Sequence, residues 1–174
     1  WTMQGFDRPI YTNISMPFPG VPPAVPDDNP TGIYRTAFTV PRTWSGRRIV
    51  LHVGAADSVL FVWVNGGEVG LSKDSRLEAE FDITEHVVVG NNSLAMMVVR
   101  WSDASYVEDQ DQWWQAGVTR EVYLYATEQV YIADARADAL LDPRGTGGVL
   151  DVRVTVGFAG NPEPGWTVEA RLEG

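Results

Sequence analysis

The sequence predicts an all-β chain: an antiparallel sandwich of jelly-roll type, followed by the first strands of a further β domain. Three observations predict it. Short segments rich in β-branched and aromatic residues recur along the chain. Gly, Asn and Pro turn signals separate them at short intervals. No stretch carries the apolar periodicity of a convincing helix.

Residues 16–30, Met-Pro-Phe-Pro-Gly-Val-Pro-Pro-Ala-Val-Pro-Asp-Asp-Asn-Pro, come first. Proline lacks an N–H and fixes φ, so this stretch is neither helix nor central strand. Its Phe18, Val21 and Val25 suit an extended arm laid over a core better than a PxxP ligand. Tyr34 to Val40 alternates polar and apolar residues, as a half-buried strand does. Arg48 to Val53 and Val59 to Val64 follow as strands, and Asn65-Gly66 supplies the positive-φ pair of a tight hairpin. Glu68 to Leu71 returns along the preceding strand. Leu77 to Ile83 alternates again, Asp82 to His86 reads as a capped helical turn, and Gly90-Asn91-Asn92 as another turn. Leu94 to Arg100 is a buried strand, and Glu121 to Ala126 a later one. A second rhythm begins near Val130: segments 130–137, 149–156 and 166–172 read as three strands joined by Gly/Pro-rich turns. Three strands are too few for a closed sandwich of about seven, so the expected division is residues 1–127 and a truncated second β domain over 128–174.

The 174-residue chain has ordinary hydrophobic content, 44%, and a net charge of −10. That balance argues against a nucleic-acid or anionic-membrane partner, either of which favours a basic surface. There are no cysteines, so disulfides and thiolate metal sites are excluded. No apolar run reaches the roughly 18 residues that span a bilayer, and no signal peptide is visible; a cytoplasmic protein is expected. A start on Trp1 and a last strand without a closing element suggest a piece of something longer.

The stretch Arg100 to Trp114 concentrates acids (Asp103, Glu108, Asp109, Asp111) and aromatics (Trp101, Tyr106, Trp113, Trp114) immediately after a strand. Carboxylates accept hydrogen bonds from hydroxyls and flat rings pack against C–H faces, which is the chemistry of sugar recognition. A charged loop pinned by buried tryptophans explains the same composition. His52 and His86 have no partners at metal-ligand spacing and read as structural.

Several motifs in order carry a resemblance: Tyr11-Thr12-Asn13, Pro22-Pro23 with Asn29-Pro30-Thr31-Gly32, Phe61 to Gly66, Val69 to Leu77, Glu80 to Ile83, Arg100-Trp101-Ser102-Asp103 through Asp111-Gln112-Trp113, and Gly117 to Leu124. Over residues 11 to about 126 the chain resembles the N-terminal sugar-binding jelly roll of LacZ-type β-galactosidases, glycoside hydrolase family 2. The resemblance implies a galactose-binding-like sandwich, then an immunoglobulin-like domain, then a barrel holding both catalytic glutamates of a retaining hydrolysis. It therefore implies no catalytic residue in this chain, which would be inert alone. Asp103 resembles the residue that helps bind an active-site Na⁺ and the sugar's 6-hydroxyl. Asp57 falls where members carry Asn or Asp near bound galactose. Either aspartate could instead cap a turn. Trp101 and Tyr106 are expected to hold the loop, and Glu108, Asp109 and Asp111 to bond backbone or Arg76, Arg100 and Arg120. Thr119 stands where members often carry Phe. Na⁺, Mg²⁺ in the full-length enzyme, a β-galactoside, the remaining domains and a homo-oligomer are the implied cofactors and partners. A stand-alone carbohydrate-binding module and a purely structural domain are the alternatives.

Overall fold

The computed structural model describes residues 2–13 and 15–173, and the only helical segments among them are short 3-10 turns. The strands are β1 (Ile10–Tyr11), β2 (Thr31–Val40), β3 (Arg48–Val53), β4 (Ala56–Asp57), β5 (Val59–Val64), β6 (Gly67–Ser72), β7 (Ala79–Asp82), β8 (Gly90–Val99), β9 (Trp113–Trp114), β10 (Gly117–Val118), β11 (Val122–Thr127), β12 (Val130–Leu141) and β13 (Gly148–Phe158). Two compact units divide the described residues: those up to Ser45 with Ile49–Ala126, and Gly46–Arg48 with Thr127 onward.

In the first unit a four-stranded sheet, ordered β2-β8-β5-β6, accompanies a three-stranded sheet, ordered β11-β3-β7. The chain passes repeatedly from one sheet to the other, as a jelly roll does. The core follows from alternation: Leu60, Val62 and Val64 of β5 and Leu94, Met96 and Val98 of β8 are buried, together with Leu51 and Val53 of β3 and Ile83. Phe61 and Trp63 point the other way and stack with their centroids 6.1 Å apart. Each fully enclosed aliphatic side chain contributes about 1.5–3 kcal/mol. β3 and β5 occupy the segments the sequence predicts, and Asn65 (φ 52°) and Gly66 (φ 82°) make the expected tight turn. The Asn65 side chain adds a second function: its Nδ2 donates to the His86 carbonyl and to Asn92 Oδ1, while its Oδ1 accepts from the Ser93 amide.

Two boundaries and the packing of the arm differ from the sequence reading in this unit. Gly90 to Asn92 opens β8 instead of forming a turn, because the buried Asn92 side chain closes the preceding loop itself. Its Oδ1 accepts from the Val88 amide and its Nδ2 donates to the Val88 and Gly90 carbonyls. The alternation from Leu77 yields only β7, since the Arg76 and Leu77 amides donate to Asp74 Oδ1 in a turn and are lost to the ladder. In the Pro-rich arm only Phe18 is buried, whereas Val21 and Val25 are exposed. The arm touches the molecule at selected points: Phe18 packs beside Trp101 and Tyr106, and the Tyr106 hydroxyl donates to the Ala24 carbonyl at 2.6 Å.

In the second unit β12 and β13 form an antiparallel hairpin with a bulge between Ile132 and Asp134. Its loop is organised by Asp142, whose carboxylate accepts from the Arg144 and Thr146 amides. Residues 166–172 do not form the expected third strand. Alternation alone does not make a strand; a ladder partner does, and no described residue pairs with this segment.

Candidate functional site

Three segments of the first unit converge where the sheets end: Asp57-Ser58 between β4 and β5, Lys73 to Arg76 after β6, and the acidic-aromatic stretch after β8. The Ser58 amide donates to the Val99 carbonyl at 3.0 Å, and the Ser58 hydroxyl donates to Ser102 Oγ at 3.0 Å. This serine pair joins the neighbours of Asp57 and Asp103. Ser102 begins a 3-10 turn over Asp103–Tyr106, and its amide donates to Ser105 Oγ at 3.0 Å in a capping box. The turn fixes Asp103 at the surface.

The Lys73-Asp74-Ser75-Arg76 loop connects with both aspartates. Lys73 Nζ forms an ion pair with Asp103 Oδ1. Asp74 folds the loop back on its own amides. The Ser75 amide and hydroxyl donate to Glu108 Oε1 and Oε2, at 2.9 and 2.6 Å. Arg76 Nη1 lies 3.6 Å from Asp57 Oδ2, near enough for charge but too long for a hydrogen bond. The sequence reading named Arg76 as a partner for the acids of the 100–114 stretch and gave Lys73 no role; the structure turns Arg76 to Asp57 and Lys73 to Asp103. Four consecutive polar residues between two strands were the available signal.

Asp57 is enclosed, its side chain 4% exposed, and its Oδ2 has no hydrogen-bond partner. Burial pushes its carboxyl up to about 6, against the lowering effects of Arg76 and the Ser75 hydroxyl. It lies across from Gly117 of β10. Gly117 has φ 91°, a conformation that favours glycine, and a β-carbon there would meet the Tyr34 hydroxyl. Asp103, in contrast, is exposed, and the Lys73 ammonium holds its carboxyl below the usual carboxylate range, helped by the Ala104 amide.

Of the remaining acids, Glu108 bonds backbone as expected, whereas none of the three pairs with an arginine among the described contacts. Glu108 binds the Ser75 backbone and hydroxyl. Asp111 Oδ1 accepts from the Tyr11 hydroxyl at 2.7 Å, and Asp109 Oδ1 is buried without a hydrogen-bond partner. Arg100 is buried and pairs with Asp7 near the N-terminus, not with these acids; its Nη2 also donates to the Arg8 carbonyl, and its guanidinium lies 4.9 Å over Trp101. Trp101 is enclosed by Phe18 and Trp114, and its amide and carbonyl are bonded reciprocally by the Asn29 side chain. Asn29, a residue with no expected role, thereby fastens the arm beneath the site. Arg120 donates to the Arg76 carbonyl at 3.2 Å. His52 stacks on Tyr123 and meets Glu80 at 3.1 Å, away from this constellation. A cleft of about 190 Å³ opens beside Gly117 between Asp7, Pro30 and Tyr34; neither Asp57 nor Asp103 lines it.

The arrangement sets a half-exposed Lys73–Asp103 pair beside an enclosed Asp57 facing Arg76. Residues 1–128 match the family described as glycosyl hydrolases family 2, sugar binding domain. The chain belongs to that family. The β-galactosidase of Pectobacterium atrosepticum is 42% identical over 174 residues, 99% of this chain and 17% of that protein. The β-galactosidase of Vibrio cholerae is 51% identical over 134 residues, 77% of this chain and 13% of that one. Among solved structures, a β-glucuronidase of an uncultured Clostridium species is 26% identical with a TM-score of 0.58, covering 71% of this chain and 23% of that one. A putative β-galactosidase from Bacteroides fragilis shares the fold at 20% identity and TM-score 0.66, over 75% of this chain and 21% of its own. The chain thus spans about a sixth of the length of the curated family 2 relatives it matches.

The sodium ion implied at Asp103 can be weighed against this geometry. A hard cation takes several oxygen ligands and a site of net negative charge. Asp103 Oδ1 already receives the Lys73 ammonium and the Ala104 amide, and no group of three acidic or histidine side chains suited to a metal occurs among the described residues. With Lys73 and the Ala104 amide on Oδ1, the Asp103 carboxylate as placed here does not fit a sodium ion.

Proposed function

We propose that this chain is the sugar-recognition domain of a β-galactosidase, in which Asp57 and Asp103 form one wall of the galactose pocket and the rest of the parent protein supplies the chemistry. The observation that carries the reading is the Asp57 carboxylate. A buried oxygen without a donor costs about 1–3 kcal/mol; Oδ2 is enclosed in this chain alone, and a hydroxyl donor brought to it in the parent would remove that cost. Asp103, held on its capped turn, offers a second acceptor at the surface. The named relatives and the order of the motifs support galactosides as the substrate class. The second unit reads in the same proposal as the start of an immunoglobulin-like domain, whose two-stranded hairpin leaves Leu140, Leu141 and Val149 exposed, a face that further strands would cover. A cytoplasmic location belongs to the proposal too, on the cysteine-free composition.

The test is kinetic, in the full-length parent. Asp103→Asn should lower kcat/KM for a chromogenic β-galactoside by about 10- to 100-fold, the loss of a charge-assisted hydrogen bond, and leave the unfolding midpoint unchanged. An unchanged kcat/KM would favour a purely structural domain. A stand-alone binding module is supported by one observation: Tyr11 and Trp113 are both exposed, with ring centroids 5.5 Å apart. It predicts saturable binding of galactosides to the 174-residue chain, lost in Trp113→Ala.

A further inference from the structure

The ion pair between Lys73 and Asp103 has a consequence for the chemistry of sugar recognition. We propose that the Lys73 ammonium takes the place of an alkali cation at Asp103, so that recognition of a sugar hydroxyl at this carboxylate needs no sodium. The inference rests on the reading that Asp103 faces a galactoside.

Lys73 is not a wandering surface lysine. Ser72, just before it, is the register partner of Leu60 at the end of β6. On its other side the loop is folded by Asp74 Oδ1, which accepts from the Arg76 and Leu77 amides at 3.0 Å each. Ser75 is then clamped twice by Glu108. Asp103 is fixed as firmly, by the Ser102–Ser105 cap and by the Ala104 amide on Oδ1. Anchored backbones on both sides aim ammonium and carboxylate at each other.

A lysine ammonium carries the same single charge as a sodium ion and has three N–H donors, of which the carboxylate takes one. The others point the chemistry toward hydroxyl acceptors, where a sodium ion would offer coordination. A tethered ammonium also competes from an effective concentration in the millimolar range or above. A second monovalent cation about 4 Å away loses about fivefold in affinity from repulsion even at water's dielectric constant, and more in an enclosed pocket. The pair is half exposed, with side-chain exposures of 44% and 51%, and such pairs add little to folding. Its consequence therefore falls on the ligand and not on the fold.

The experiment uses the full-length parent with kcat/KM for a chromogenic β-galactoside measured from sodium-free to high sodium, potassium holding the ionic strength constant. The unaltered enzyme should vary by less than about twofold. Lys73→Gln should become sodium-dependent by about fivefold or more, with an unchanged melting temperature, while Lys73→Arg should remain indifferent to sodium. Sodium-23 line broadening gives a readout without turnover: a saturable, potassium-displaceable component should appear in Lys73→Gln and be absent from the unaltered protein. A clear sodium activation of the unaltered enzyme, or a Lys73→Gln variant as indifferent as its parent, would overturn the proposal. Failure of the galactoside reading looks different: no hydrolysis of galactosides, or no loss in Asp103→Asn, with the sodium-23 comparison still deciding the role of Lys73.

Discussion

With its side chain 4% exposed and one oxygen lacking a partner, Asp57 holds its proton up to about pH 6, where an ordinary aspartate releases it near 3.8. Arg76, the Ser75 hydroxyl and Arg100 favour the ionised form, burial and Glu108 oppose it, and burial prevails. A carboxyl raised on folding favours the native state only while protonated. Ionised Asp57 therefore works against folding above pH 6, and the burden is relieved as pH falls from 6 toward 4. That rise of the carboxyl corresponds to about 3 kcal/mol. Asp57→Asn removes the titration, so its stability relative to the unaltered chain should be higher at about pH 7.5 than at about pH 4.5 by about 2–3 kcal/mol. Urea unfolding of both proteins at both pH values measures it; a pH-independent difference would mean that the carboxyl is not raised. The motifs single out both aspartates as candidates. Their partners were not legible, because Lys73 and Arg76 reach them across about thirty residues or less of intervening chain in opposite directions, and spacing along a sequence does not say which side of a loop a side chain takes.

The long strands were readable because burial on one or both faces writes alternation or continuous apolarity into six or more residues, as in Arg48–Val53 and Val59–Val64. The two-residue strands β1, β4, β9 and β10 were not, since two residues carry no period; they are created by pairing, Ile10 with Trp114 and Asp57 with Gly117. These small elements and the Pro-rich arm are what shape the site. Asn29 is the arm's fastening, and Asn29→Ala strands the amide and carbonyl of buried Trp101. It should destabilise the first unit by about 1–3 kcal/mol and raise the fluorescence response of Trp101 to quenchers, whereas a surface substitution such as Asp27→Ala should do neither. Gly117→Ala tests the other side of the wall. A β-carbon there meets the Tyr34 hydroxyl while the backbone stays at positive φ, so the expected cost is about 1–3 kcal/mol, read as a lower urea midpoint; an unchanged midpoint would show that Tyr34 moves aside freely.

At the scale of the whole chain the question is whether so many carboxylates can act without a partner domain. Retaining hydrolysis of a glycoside needs two carboxyl groups about 5 Å apart, one protonated and one ionised, facing a common sugar. The acids near this site have other engagements: Glu108 is doubly bonded to Ser75, Asp103 is paired with Lys73, Asp111 accepts from Tyr11, and Asp109 has a buried oxygen. Asp57 has a carboxyl raised to about 6 and is enclosed beside Arg76, a setting that does not suit nucleophilic attack. No described cleft contains Asp57 or Asp103, and association must first offset lost translational and side-chain freedom. The purified 174-residue chain should therefore show no hydrolysis of a chromogenic β-galactoside above the buffer rate, and only weak binding in calorimetry. Adding the remainder of the parent protein, expressed separately, should restore turnover, and Asp103→Asn in the 174-residue chain should reduce it. Turnover by the chain alone that disappears in Asp57→Asn or Glu108→Gln would place the chemistry here and refute the division of labour between this domain and the rest of its parent.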